Sequence, residues 1–214
     1  MKKVKVIIVG NSHVGKTCLI SQYLDSSFQL EYQTTTAPDK SIKKVNISNT
    51  EISLEIWDTA GQDNYAIANK IFMKKADIAL IVYDITDKAS FEGLQNWYNR
   101  VVEINDKKKV VFGIAGNKSD LFEKQVVSTE DGQNFSKKIN ALFFETSAKD
   151  HGSVEKAFNG LAQEYYHQYL ERQKMEKEEE KKMGEEEKKE DNVVLDENKH
   201  KESVIKEEKK KRRC

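Results

Sequence analysis

The chain has 214 residues, and its 36 Lys+Arg are balanced by 36 Asp+Glu. That length allows one domain with a buried core plus an appendage, and the absence of net charge argues against general nucleic-acid affinity. The two cysteines, Cys18 and Cys214, form neither a disulfide framework nor a metal-ligand spacing, and point to a reducing, intracellular setting.

Met1-Lys2-Lys3 runs directly into an apolar segment, so no signal peptide is expected. No apolar stretch approaches the roughly 20 residues that span a bilayer. Val4 to Val9 reads as a buried strand halted by Gly10, and Gly15 to Leu24 reads as a helix, with Leu19, Ile20, Tyr23 and Leu24 at helical spacing. Between them lies Gly10-x-x-x-x-Gly15-Lys16-Thr17. In a strand-to-helix loop of this kind, backbone N–H groups from Gly10, Asn11, Ser12, His13, Val14, Gly15 and Cys18 would surround phosphate oxygens at the helix N-terminus. Lys16 would reach the β- and γ-phosphates, and the Thr17 hydroxyl would ligate Mg²⁺.

Phe28 to Lys40 is a polar, threonine-rich connection. One of Thr34, Thr35 and Thr36 is expected to close over Mg²⁺ and the γ-phosphate, and spacing from Thr17 and Phe28 favours Thr35. Ile42 to Ile47 and Ile52 to Trp57 alternate apolar and polar residues around Ser48-Asn49-Thr50, which predicts an antiparallel hairpin at a sheet edge. Asp58-Thr59-Ala60-Gly61-Gln62 follows. Asp58 would hold the metal through water, Gly61 would let its N–H approach the γ-phosphate, and Gln62 would orient the attacking water.

Further strands are predicted at Ile78 to Tyr83, Val110 to Ala115 and Leu142 to Phe144, with helices near Phe91 to Ile104, Thr129 to Ile139 and Val154 to Leu170. This alternation implies an α/β fold with a mainly parallel, doubly wound sheet of six strands flanked by helices, and ligand loops at the strand C-termini. Asn117-Lys118-Ser119-Asp120 follows one of these strands. The Asp120 carboxylate can accept from guanine N1–H and its exocyclic amine, a donor pair that adenine lacks. Lys118 would lie across the base, and Asn117 would tie this loop to the phosphate loop. In Ser147-Ala148-Lys149 the Ala148 N–H would meet guanine O6, with Ser147 and Lys149 supporting the turn. Phe28 would pack on the base edge. The set predicts a GTP site.

From Glu171 to Cys214 there are 15 basic and 15 acidic residues with no apolar stripe, which predicts a solvated extension, first helical and then disordered, after a domain over residues 1–170. It ends Lys209-Lys210-Lys211-Arg212-Arg213-Cys214, which is not a C-a-a-X box. One lipid binds membrane weakly, and five basic residues at about 1 kcal/mol each near an anionic leaflet would add a second signal. Cys214 is therefore a candidate lipidation site; the alternative is a plain basic tail with a nuclear or protein-binding role.

These motifs resemble the Ras superfamily over about residues 3–170. The narrower resemblance is to its Rab branch, carried by Trp57 before Asp58-Thr59-Ala60-Gly61-Gln62, by Tyr83-Asp84-Ile85-Thr86, by Ser90-Phe91 with Trp97 following, and by Glu145-Thr146-Ser147-Ala148-Lys149. The resemblance implies a P-loop GTPase domain and a molecular switch that hydrolyses GTP to GDP with Mg²⁺. Lys16, Thr35 and Gln62 would be its catalytic residues, and intrinsic turnover would be slow, about 10⁻⁴ to 10⁻² s⁻¹. It further implies an exchange factor, a GTPase-activating protein, effectors in vesicle trafficking and prenylation machinery. A monomer is expected that cycles from the cytoplasm to the cytoplasmic face of an internal membrane. The alternatives are a switch without a lipid anchor and a nucleotide-binding pseudo-GTPase.

The first switch departs from the Rab pattern. Thr36-Ala37-Pro38-Asp39-Lys40 puts Lys40 where an aromatic residue normally joins Trp57 and a second-switch tyrosine in an effector surface. Met73 is expected at the tyrosine's place, and His13 replaces a small phosphate-loop residue.

Overall fold

The computed structural model describes residues 2–25, 39–59 and 71–178. Phe28, Thr34, Thr35, Thr36, Gly61, Gln62 and Cys214 lie outside the described residues. Six strands form one sheet in the order β2-β3-β1-β4-β5-β6. They are β1 (Lys2–Val9), β2 (Asp39–Ile47), β3 (Thr50–Asp58), β4 (Ile78–Asp84), β5 (Val111–Asn117) and β6 (Leu142–Thr146). All neighbours are parallel except the β2–β3 hairpin, so the doubly wound sheet expected from the alternation is present.

Burial follows from position in the sheet. Every residue of β4 and β5 is buried, the continuous apolar run of a parallel strand covered on both faces. Strand β2 alternates in exposure and carries Lys40, Lys43 and Lys44 at the sheet edge, where charge discourages pairing with another edge. Its turn is tighter than the three residues expected, because Ile47 pairs with Thr50 and leaves only Ser48 and Asn49 in the loop. Their φ values of 49° and 63° are those of a primed hairpin turn, whose twist matches the strands it joins.

The helices differ from their sequence outlines for local reasons. The helix expected over Phe91 to Ile104 is two, α2 (Lys88–Glu92) and α3 (Leu94–Ile104), meeting at Gly93. Asp87 starts the first by accepting from the Ala89 N–H, an N-cap that periodicity does not see. Helix α1 (Lys16–Asp25) and helix α4 (Thr129–Ile139) keep close to their predicted spans. The last helix, α5, covers residues 151–178, beginning earlier than Val154 because the Asp150 carboxylate accepts from the Gly152 and Ser153 N–H groups.

One face of the sheet is covered by α3 through Leu94, Trp97, Tyr98 and Val101, with Tyr98 against Phe112. On α1, Leu19, Ile20 and Tyr23 are buried, and Tyr23 stacks on Phe158 at 4.2 Å between ring centroids. The chain divides into two units, Met1–Tyr166 and His167–Cys214. Tyr165 is the last buried residue before the division. Among the described residues no helix is long and apolar enough to cross a membrane.

Candidate nucleotide site

The loop after β1 is held in a conformation that its sequence explains. Gly10 has φ +147°, and a Cβ there would meet the Val82 carbonyl oxygen at 2.2 Å. Gly15 has φ +93°, and a Cβ there would meet Asn117 Nδ2 at 2.5 Å. Only glycine tolerates both the backbone angle and the close approach. His13 stands exposed at φ 65°, Ser12 is half-buried and Val14 is buried. The path leaves α1 to start at Lys16 with its N-terminus facing the loop.

Lys16 is buried, and its ammonium donates to the carbonyls of Gly10 at 3.0 Å and Asn11 at 2.8 Å. Burial pushes its pKa down to about 8 against the raising effect of the Asp58 carboxylate. Thr17 Oγ1 donates to Asp58 Oδ2 at 2.5 Å, which brings the first turn of α1 to the end of β3. These are two hard oxygen donors side by side, the donor chemistry that Mg²⁺ takes alongside phosphate oxygens. Thr59 is buried and its hydroxyl donates to the Ile8 carbonyl at 2.7 Å, anchoring the chain where it leaves β3. Cys18 is half-buried in the first turn of α1, and burial raises its thiol pKa.

A second cluster forms at the ends of β5 and β6. Asn117 Nδ2 donates to the Val14 carbonyl at 2.7 Å, and Asn117 Oδ1 accepts from Thr146 Oγ1 at 3.2 Å. One amide therefore joins the phosphate loop to both strand ends. Asp120 accepts from Ser147 Oγ and Lys149 Nζ, each at 2.7 Å. Burial pushes the Asp120 pKa up, but the Lys149 and Ser147 hydrogen bonds with the Lys149 charge outweigh it and hold the carboxyl below its usual range. The turn is closed by Asp150 N–H to Ser147 O at 2.9 Å, with Ala148 buried within it.

Sequence reasoning missed the residues that hold these groups. In the sequence Tyr83-Asp84-Ile85-Thr86 stands only as a mark of the resemblance. In the structure Asp84 Oδ2 pairs with Lys118 Nζ at 2.6 Å, and Asp84 Oδ1 accepts from the Thr86 N–H and hydroxyl. Lys118 itself takes φ 64°. The signal was an acidic residue at the C-terminal end of a buried strand, level with Asn117 in the neighbouring strand.

The expectation for Met73 needs correction. Met73 is buried in the core between sheet and helices, so it contributes no partner surface. Phe72, one residue earlier, packs on Trp57 at 5.4 Å between centroids, and Lys40 Nζ stands 5.7 Å from the Trp57 ring centroid. A one-residue step in this segment exchanges a core-facing side chain for a half-buried one, which spacing from distant motifs does not resolve.

The Ras family model matches residues 5–167. The chain is 39% identical over 158 residues to the Ras-related protein RabQ of Dictyostelium discoideum, covering 74% of this chain and 77% of that relative. It is 40% identical over 162 residues to the GTP-binding protein yptV2 of Volvox carteri, covering 75% and 74% of the two. To the Ras-related protein Rab-13 of Rattus norvegicus it is 38% identical over 160 residues, covering 75% and 78%.

Proposed function

The chain belongs to the Ras family and is a Rab-like GTPase, and from that premise we propose that it is a magnesium-dependent switch recruiting effectors in intracellular membrane trafficking. The observation that carries the switch is the meeting of Thr17 and Asp58 beside the buried Lys16. Thr17 and Asp58 would hold Mg²⁺, which neutralises charge building on the phosphate oxygens. Lys16 supplies a fixed positive charge to the β- and γ-phosphates, releasing its two backbone carbonyls as it does so. Gln62 would orient the attacking water, Gly61 would offer its N–H to the γ-phosphate, and Thr35 would serve as the first-switch ligand to the metal.

Phosphoryl transfer then depends on positioning and charge more than on covalent chemistry, so intrinsic turnover is slow and an activating protein accelerates it. Loss of the γ-phosphate releases both switches and changes the face that effectors read. On that face the partner meets a lysine beside Trp57 where Rab proteins usually present an aromatic residue.

Anchorage is assigned to Cys214, beside five basic residues. A lipid there and the basic run supply the two signals that stable attachment needs. Two measurements test the proposal. Single-turnover phosphate release should fall at least tenfold in Gln62→Leu, and equal rates would mark a pseudo-GTPase. The mass of the Cys214 peptide from native cells should carry an isoprenoid. An unmodified thiol in both membrane and soluble fractions would replace the anchored switch with a protein-binding one.

A further inference from the structure

The phosphate loop contains three residues at positive φ within six positions, Gly10 at 147°, His13 at 65° and Gly15 at 93°. Such a path persists only when its surroundings over-determine it. Asn117 holds the C-terminal half, through Val14. The N-terminal half has its own clamp. Asn11 Oδ1 accepts from Trp97 Nε1 at 2.8 Å, and Asn11 Nδ2 donates to the Ala89 carbonyl at 3.5 Å.

We propose that the Asn11 side chain is a positioning group that fastens the phosphate loop to Trp97 of α3, so that nucleotide retention depends on the seating of that helix. The inference rests on the guanine-nucleotide reading above. Trp97 is 3% exposed, and a buried indole N–H without an acceptor is costly; Asn11 supplies that acceptor. The Arg100 guanidinium lies 4.8 Å from the Trp97 ring centroid, and the Trp97 N–H of the backbone donates to Gly93 O at 3.2 Å. The donor is therefore fixed on a packed helix, and the loop is the part positioned by it. The backbone carbonyl of the same Asn11 receives the Lys16 ammonium, which links the tether to the charge that meets the phosphates.

Gly93 makes the contact possible. A Cβ at this position would come within 2.9 Å of Asn11 Oδ1 and 3.1 Å of Asn11 Nδ2. Its own backbone is right-handed helical, φ −68° and ψ −16°, so alanine fits the chain there and disturbs only the Asn11 amide. Gly93→Ala thus breaks the tether without straining the backbone that leads into α3.

The test uses the full chain loaded with a fluorescent GDP analogue and chased with excess GDP in Mg²⁺. Trp97→Phe, which keeps an aromatic ring at the site and removes the donor, should speed release about tenfold, the size of one buried hydrogen bond. Gly93→Ala should do the same while lowering the thermal midpoint no more than Asn11→Ala does, and Asn11→Ala combined with Trp97→Phe should release no faster than Asn11→Ala alone. Affinity for GMP, which places no β-phosphate in the loop, should stay at the wild-type value in Gly93→Ala and Trp97→Phe. Wild-type release in either of those variants, multiplying effects in the double variant, or a parallel loss of GMP affinity would overturn the proposal. If Trp97→Phe does not fold, Gly93→Ala decides alone. Failure of the wild type to retain GDP would overturn the nucleotide reading, and this inference with it.

Discussion

Asp120 is held ready for its ligand by two neighbours. Ser147 and Lys149 occupy its two oxygens at 2.7 Å each, and together they hold the carboxyl below its usual range against partial desolvation. Guanine presents two donors to the same group, and hydrogen bonds to a charged acceptor contribute about 1.5–3 kcal/mol each. Asp120→Asn should therefore weaken GDP binding by about 10² or more, measured by competition against a fluorescent GDP analogue. A change within threefold would mean that the base does not meet this carboxylate. Most of these residues were legible as a linear pattern, because a carboxylate three residues after an asparagine follows from the strand-end loop itself. Their holders were not: Asp84 lies 34 positions from Lys118, and nothing local announces that pair.

At the scale of elements, the hairpin and the helix ends show how far local chemistry reaches. Ser48 and Asn49 occupy both central positions of the β2–β3 turn at positive φ, where Asn-Gly is the favoured pair. Replacing them with Ser48→Asn and Asn49→Gly together should raise stability by roughly 0.5–1 kcal/mol. Urea unfolding should show a higher midpoint at unchanged slope. A lower midpoint would mean that the Ser48 side chain contributes more than its strained backbone costs. Helix α4 begins at a reciprocal capping box between Ser128 and Asp131 and ends at left-handed Asn140, and its predicted limits, Thr129 to Ile139, coincide with these signals. No comparable signal in the periodicity marks the break at Gly93, since apolar positions continue through both α2 and α3.

For the molecule as a whole, two phenols couple folding to pH. Burial raises the pKa of Tyr23 and of Tyr83, with Glu155 adding to the first and Glu145 and Asp131 to the second. In the unfolded chain a phenol ionises near pH 10. The folded values lie higher, so the unfolded state binds fewer protons above that pH, and stability present below it is lost as pH rises. Spectrophotometric titration should leave Tyr23 and Tyr83 silent until the protein unfolds, and Tyr83→Phe should lessen the alkaline loss. Titration of Tyr23 and Tyr83 while the fold is intact would remove this account. The apolar runs, the glycine positions and the polar loops by themselves determined the class of sheet and the strand ends that carry the motifs, because each is a property of neighbouring residues. Tertiary structure alone decided that Met73 enters the core while Phe72 meets Trp57, that Asp84 holds Lys118, and that Trp97 reaches Asn11 across 86 positions. Those contacts depend on which strand lies beside which and on where each helix is seated, and a hydrogen bond between distant residues leaves no periodic trace in the chain.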